Sequence, residues 1–151
     1  MNIQQPLTEL YREAGCNQAD AVDFLFAWHA YCHELDDVVD NPLSPETPEM
    51  LLASQVRAAC LYTCPFFQQN AAALRPLVFL IASAWGDSVK FEHSGDSGLR
   101  TYGDSLRLVG NEMVCAVALI CGGFAHLRRI SPRLRKLAWA NQHAPVGEQE
   151  P

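Results

Sequence analysis

Residues 17–42 read NQADAVDFLFAWHAYCHELDDVVDNP. Apolar residues recur there at spacings of three and four, with no period-two alternation, so the stretch reads as one long helix. Asn17 is its expected N-cap, and Asn41-Pro42 is expected to stop it after about Val39. The last eight residues of that helix, HELDDVVD at 33–40, hold four acids in a segment whose earlier turns are made of core residues. Each helical residue advances about 100°, so with His29 at zero, His33 lies near +40°, Asp36 near −20°, Asp40 near +20° and Asp37 near +80°. Val22, Leu25 and Phe26 lie on or beside the same arc, whereas Asp20, Asp23 and Glu34 point away and read as the solvent side. The helix therefore aims two histidines and two or three carboxylates where it also aims its core.

The rest of the chain follows the same period. A short first helix is expected over Thr8–Ala14, ended by Gly15, and a third over 47–63 with Pro48 in its first turn. PFFQQNAAALR at 65–75 reads as a short helix that Pro76 either kinks or separates from LVFLIASAWGDSVKFEH. HSGDSG at 93–98 is the clearest internal loop. A long helix is expected from about Leu99 to Arg129, with a bend allowed at Gly122-Gly123, and a final amphipathic helix from Ser131-Pro132. The expectation is an all-α, single-domain helical bundle of about five to six helices over 1–143, with a disordered tail at 144–151.

Length and composition agree with that class. The 151 residues, 49% hydrophobic and 19% charged, suit one packed domain rather than a disordered chain. No uninterrupted apolar run reaches about 18 residues, and MNIQQPLTELYREAG lacks the order of a secretory signal, so the expected location is cytoplasmic, without a membrane partner. The cysteines at 16, 32, 60, 64, 115 and 121 show no C-x-x-C spacing and read as free thiols. Positions 1–127 hold fifteen acids against six Lys or Arg, while Arg128, Arg129, Arg133, Arg135 and Lys136 crowd an acid-free segment. That segment reads as a solvated helix balancing an acidic body, which makes a nucleic-acid partner unlikely.

Carboxylates crowded on an inward face repel one another and lose hydration, at a cost of several kcal/mol unless they are protonated or paired with a cation. A hard divalent ion with oxygen ligands resolves this, and acids at i and i+4 reach one or two such ions. On the long helix, Asp104, Asn111 and Cys115 share a face, with Arg100 and Arg107 along one edge and Glu112 along the other. Asp87 lies on the side of Leu80, Ala84 and Phe91. Together these would put a second acidic set on a facing helix, so the candidate metal ligands are Asp36, Asp37, Asp40, Asp87, Asp104, Asn111 and Glu112. Arg107, Arg100 and Lys90 would meet an anionic ligand, with His33 and His29 beside it and His33 orienting a carboxylate.

Asp36-Asp37-Val38-Val39-Asp40 resembles the D-D-x-x-D motif of class I terpenoid and prenyl diphosphate synthases, and Asp104-x-x-x-Leu108-x-x-x-Glu112 resembles their second metal motif, with Leu108 in place of the usual hydroxyl. The resemblance covers some fourteen positions. It implies facing helices holding magnesium for a diphosphate-bearing small molecule, an isoprenoid in that family, with these roles for Asp36, Asp40, Asp104 and Glu112. More loosely, the chain is similar to short proteins encoded by tailed phages and prophages.

Two other readings stay open beside it. All-α nucleotide pyrophosphohydrolases also use acidic helix pairs, but their E-x-x-E pattern is missing here. From a different class comes a non-catalytic interaction or assembly protein, possible as a homo-oligomer, whose inward acids pair with Arg57, Arg75 or Arg107 in buried salt bridges. No Gly-rich phosphate loop or nucleophile elbow occurs.

Overall fold

A computed structural model describes residues 4–143, so the expected disordered tail lies outside the described residues. These residues form α1 (Gln4–Ala14), α2 (Ala19–Asp40), α3 (Thr47–Thr63), α4 (Pro65–Gln69), α5 (Ala71–Glu92), α6 (Ser97–Leu106), a 3-10 turn (Arg107–Asn111) and α7 (Glu112–Gln142). Among them there is no strand, and the protein is an all-α bundle. Three pairings organise it: α2 lies along α3, α5 along α6, and α1 along α7.

Local chemistry fixes the boundaries. Helix α1 begins earlier than expected but ends at Ala14, before Gly15, as expected. The chain leaves it through Cys16 and Asn17, both at positive φ (51° and 58°), so Asn17 belongs to the end of α1 and Gln18 takes the N-cap place expected for it. Asn17 N–H reaches back to Arg12 O and Cys16 N–H to Glu13 O, each at 2.9 Å, the paired bonds of a Schellman cap. Gly15 is needed for space instead, since a Cβ there would sit 3.1 Å from the Val22 side chain. Asp96 caps α6 by accepting from Gly98 N–H at 2.7 Å, which starts that helix earlier than expected. Pro76 lies inside α5 and does not divide it.

The core joins Leu10, Phe24, Leu25, Trp28, Leu61, Phe66, Phe67, Leu74, Met113, Val114, Val117, Ile130 and Leu134. Phe24 meets Phe66 and Phe67 at ring separations of 5.6 and 6.0 Å, which seats α4 against α2. Trp28 Nε1 donates to Gly110 O at 2.9 Å and ties α2 to the 3-10 turn.

The largest departure from expectation is in α7, which is not one rod. Over 23 residues a straight helix would carry Arg135 about 35 Å from Glu112. Instead Arg135 Nη2 donates to both Glu112 oxygens, at 2.7 and 2.8 Å. The reversal is at Gly123, at φ 73° and ψ −176°, a region open essentially to glycine alone. Residues 112–122 and 124–142 are thus two arms of a helical hairpin. Beside the reversal, a Cβ on Gly122 would lie 2.5 Å from the His126 ring.

His126 is buried and fully used. Arg129 Nη2 donates to its Nδ1 at 2.8 Å. Because arginine only donates, the ring proton sits on Nε2, which points at Glu13 O (3.0 Å) and Ala14 O (3.3 Å). The imidazole therefore caps the carbonyl end of α1 from the second arm of α7.

By length and composition alone, Ala71–Glu92 and Ser97–Gln142 are apolar enough to cross a membrane, although neither is an uninterrupted apolar run. The second is divided by the 3-10 turn and reversed at Gly123. Gly123→Ala is expected to cost about 1–3 kcal/mol, since alanine must enter that glycine-only region. Cys16→Gly is expected to gain up to about 1 kcal/mol by relieving its left-handed residue. Urea unfolding of both variants checks the pair; an alanine as stable as glycine at 123 would contradict the reversal.

Candidate functional site

The carboxylate end of α2 meets α5 and the 3-10 turn. α5 and α6 cross closely at Gly103, where a Cβ would stand 2.9 Å from Phe91 Cβ, and this crossing brings Glu92 beside Arg107. Arg107 Nη2 donates to Glu92 Oε2 at 2.8 Å and lies 3.7 Å from Asp40 Oδ1. Asp36 Oδ1 accepts from Trp85 Nε1 at 2.8 Å. One guanidinium and one indole thus serve acids from two helices.

The electrostatics follow from this packing. Burial raises the Asp36 pKa and neighbouring Asp40 adds to the rise, against opposition from the Trp85 bond, Arg107 and His33. Burial would lower the Arg107 pKa, but the hydrogen bond and charge of Glu92, with Asp40 and Asp36 behind it, leave it raised. Arg107 stays charged.

The second motif does not face the first. The expected geometry assumed about 100° per residue from Asp104 to Glu112, whereas residues 107–111 wind as a 3-10 helix at about 120° each. Both acids instead meet the second arm of α7. Glu112 takes the Arg135 fork. Asp104 accepts from Gln142 through its side chain and, at 3.0 Å, through its backbone carbonyl, while its Oδ2 lies 3.1 Å from His143 Nε2. Arg107, on the intervening turn, points to α2 and α5.

The other expected residues are dispersed. Asp87, about half exposed, pairs with the exposed Lys90 one turn away at 3.6 Å. Arg100 Nη1 donates to Ser94 O at 2.6 Å, bracing its own loop. Asn111 Nδ2 donates to Leu108 O at 3.0 Å, and Asp37 is exposed. Glu34, assigned to solvent, is bonded to Arg57 of α3, while Arg75 has no ion pair among the described residues. Among the described residues, no three His, Cys, Asp or Glu side chains gather in a group able to hold a metal.

His29 and His33 stack edge to face with ring centres 4.3 Å apart, and the Tyr11 hydroxyl meets His29 Nδ1 at 3.2 Å. Burial, then the neighbouring His33, push the His29 pKa down to about 4. The histidines were expected beside the acids, but His29 meets Tyr11 and His33, and no hydrogen bond joins either histidine to a carboxylate among the described residues. Sequence reasoning also missed Trp85, Glu92, Arg135, Gln142 and His143. Only Arg135 carried a signal, as part of a basic segment without local acids. Arg133 from the same segment donates to Glu13 at 2.6 Å. All six cysteines are free.

Compared with known proteins, the chain matches no protein-family model, no curated protein and no solved structure.

Two pH effects follow, opposite in sign. For His29, the unfolded chain binds a proton near pH 6.5 and the folded one only near 4, so its contribution is complete above about pH 6.5 and lost as pH falls towards 4. Urea unfolding of His29→Gln should show a shallower acid loss than the parent; equal slopes would refute it. For Asp36, a raised folded pKa means that ionisation subtracts stability as pH rises above the unfolded value of about 3.9. Asp36→Asn, which keeps an oxygen for Trp85, should equal or exceed the parent at pH 7 and lose that advantage towards pH 4. A variant weaker at pH 7 would contradict this account.

Proposed function

We propose that this protein is a non-catalytic helical interaction or assembly protein, with a cytoplasmic location, whose inward acids serve its architecture. The observation that carries this reading is the state of four acids at the two motifs. Asp36 is held by Trp85, Asp40 lies beside Arg107, Asp104 is held by Gln142 and His143, and Glu112 by Arg135. Two of these contacts are hydrogen bonds from neutral donors and the others are partly exposed ion pairs. Each adds little net stability, yet removing the partner of a half-buried carboxylate such as Asp36 leaves it desolvated. Such bridges specify which helix faces which.

Exposed apolar side chains support the interaction role. Leu52 and Val56 on α3 are 67% and 64% exposed, and Phe79 and Leu80 on α5 are 69% and 67% exposed. Leu52 and Val56, one turn apart on α3, give a neighbouring apolar pair that a partner could cover.

The diphosphate reading is retained as a second proposal on one observation: the Asp36 carboxylate is destabilised by burial and by Asp40, a condition that a magnesium ion would relieve. The test is thermal unfolding in EDTA, with millimolar magnesium, and with magnesium plus inorganic diphosphate, for the parent, Asp36→Asn/Asp40→Asn and Arg107→Met. The first reading expects no shift with either addition, and a loss of about 2 kcal/mol in Arg107→Met from the carboxylates left unpaired. A rise with magnesium, a further rise with diphosphate and loss of both in the double variant would establish the diphosphate reading instead.

A further inference from the structure

The reversal of α7 leaves a groove of about 540 Å³ between the 3-10 turn and the second arm, a volume within the range of small-molecule sites. Its walls are largely apolar, with Leu106, Leu108 and Val109 on one side and Ala138 and Trp139 on the other. Trp139 is half exposed and stacks on His143 at 3.7 Å, so its indole forms a rigid flank.

Charge enters the groove from Glu112, Arg135 and Lys136. Glu112 and Arg135 neutralise each other through their two-pronged bond. Lys136 is exposed and has no ion pair among the described residues. Among the described residues, the groove is therefore an apolar trough with one positive charge on its rim that no acid pairs.

We propose that this groove binds a small amphiphile with an aliphatic body and a single acidic head, carboxylate or phosphate. The chain lies against Leu106, Leu108, Val109 and Trp139, and the head meets Lys136. The apolar walls supply most of the affinity, because burial of aliphatic surface scales with area, and the lysine supplies the sign preference. This inference does not depend on metal at Asp36 and Asp40, since none of its residues belongs to the Arg107 cluster, and it takes from the interaction reading only the mutual pairing of Glu112 with Arg135.

The test is a two-dimensional amide NMR titration of the full chain with decanoate, decyl phosphate, decanol and decyltrimethylammonium, each below its aggregation threshold. The three indole N–H signals of Trp28, Trp85 and Trp139 are assigned by Trp139→Phe and Trp85→Phe. A saturable shift of the Trp139 signal with the two acids is expected, with Trp28 and Trp85 unmoved. Decanol should bind about fivefold more weakly, and Lys136→Glu should bring the acids down to the level of decanol, the scale of one rim charge. Leu108→Glu should abolish the shift, while an unchanged spectrum elsewhere confirms its fold. The ratio of decanoate to decyl phosphate identifies the preferred head. Equal binding of all four probes, movement of all three indoles together, or no effect of Lys136→Glu would overturn the proposal.

Discussion

The turn at Gly122-Gly123 is the constraint on which the rest of the fold depends. Helix propensity across 112–142 favours continuation, and only a residue without Cβ enters the backbone region found at Gly123. What holds the reversed state is the burial behind it. Ile130 and Leu134 from the second arm and Met113, Val114 and Val117 from the first are sealed into one core. His126 then closes the far end of α1 with every ring nitrogen used. Were α7 straight, α1 would lose its partner, and Glu112, Asp104 and the basic segment would face water separately.

That reversal also explains the charge distribution. A basic segment without local acids looks, in one dimension, like a surface awaiting phosphates or nucleic acid. Folded back, Arg133 meets Glu13 and Arg135 meets Glu112. Two acids of the body are thereby balanced across tertiary contacts by the basic segment. Net charge by sequence window was a sound guide to which segments attract each other.

Helical class, the long second helix, the start of α3, the loop before α6 and a break at the glycine pair were all legible, because periodicity and caps act locally. The sense of that break was not: a bend and a reversal carry the same two glycines, and only packing of the following arm distinguishes them. The inward aim of Asp36 was also legible, since it needs one unbroken helix. The facing of Asp104 and Glu112 was not, because five residues of 3-10 winding shift the phase by about 100° relative to an α-helix. Trp85 and Glu92 lay beyond reach for another reason. Their roles come from the α5–α6 crossing at Gly103, a tertiary approach that no spacing within one helix encodes.

The same packing sets where interaction is physically reasonable. A chain of this size cannot enclose every apolar side chain, so isolated exposed leucines need no explanation. α3 is different in kind. Its inner face contributes only Ser54 and Leu61 to the fully buried set, while Leu51, Leu52 and Val56 face outward. A helix so sparsely buried on its own bundle gains less from folding than its neighbours, and its ion pair, Arg57 with Glu34, is half exposed on the arginine side and adds little to that gain. α3 is therefore held on α2 chiefly by the few side chains it buries, which sets the paired acids and the bare helix faces within one architecture.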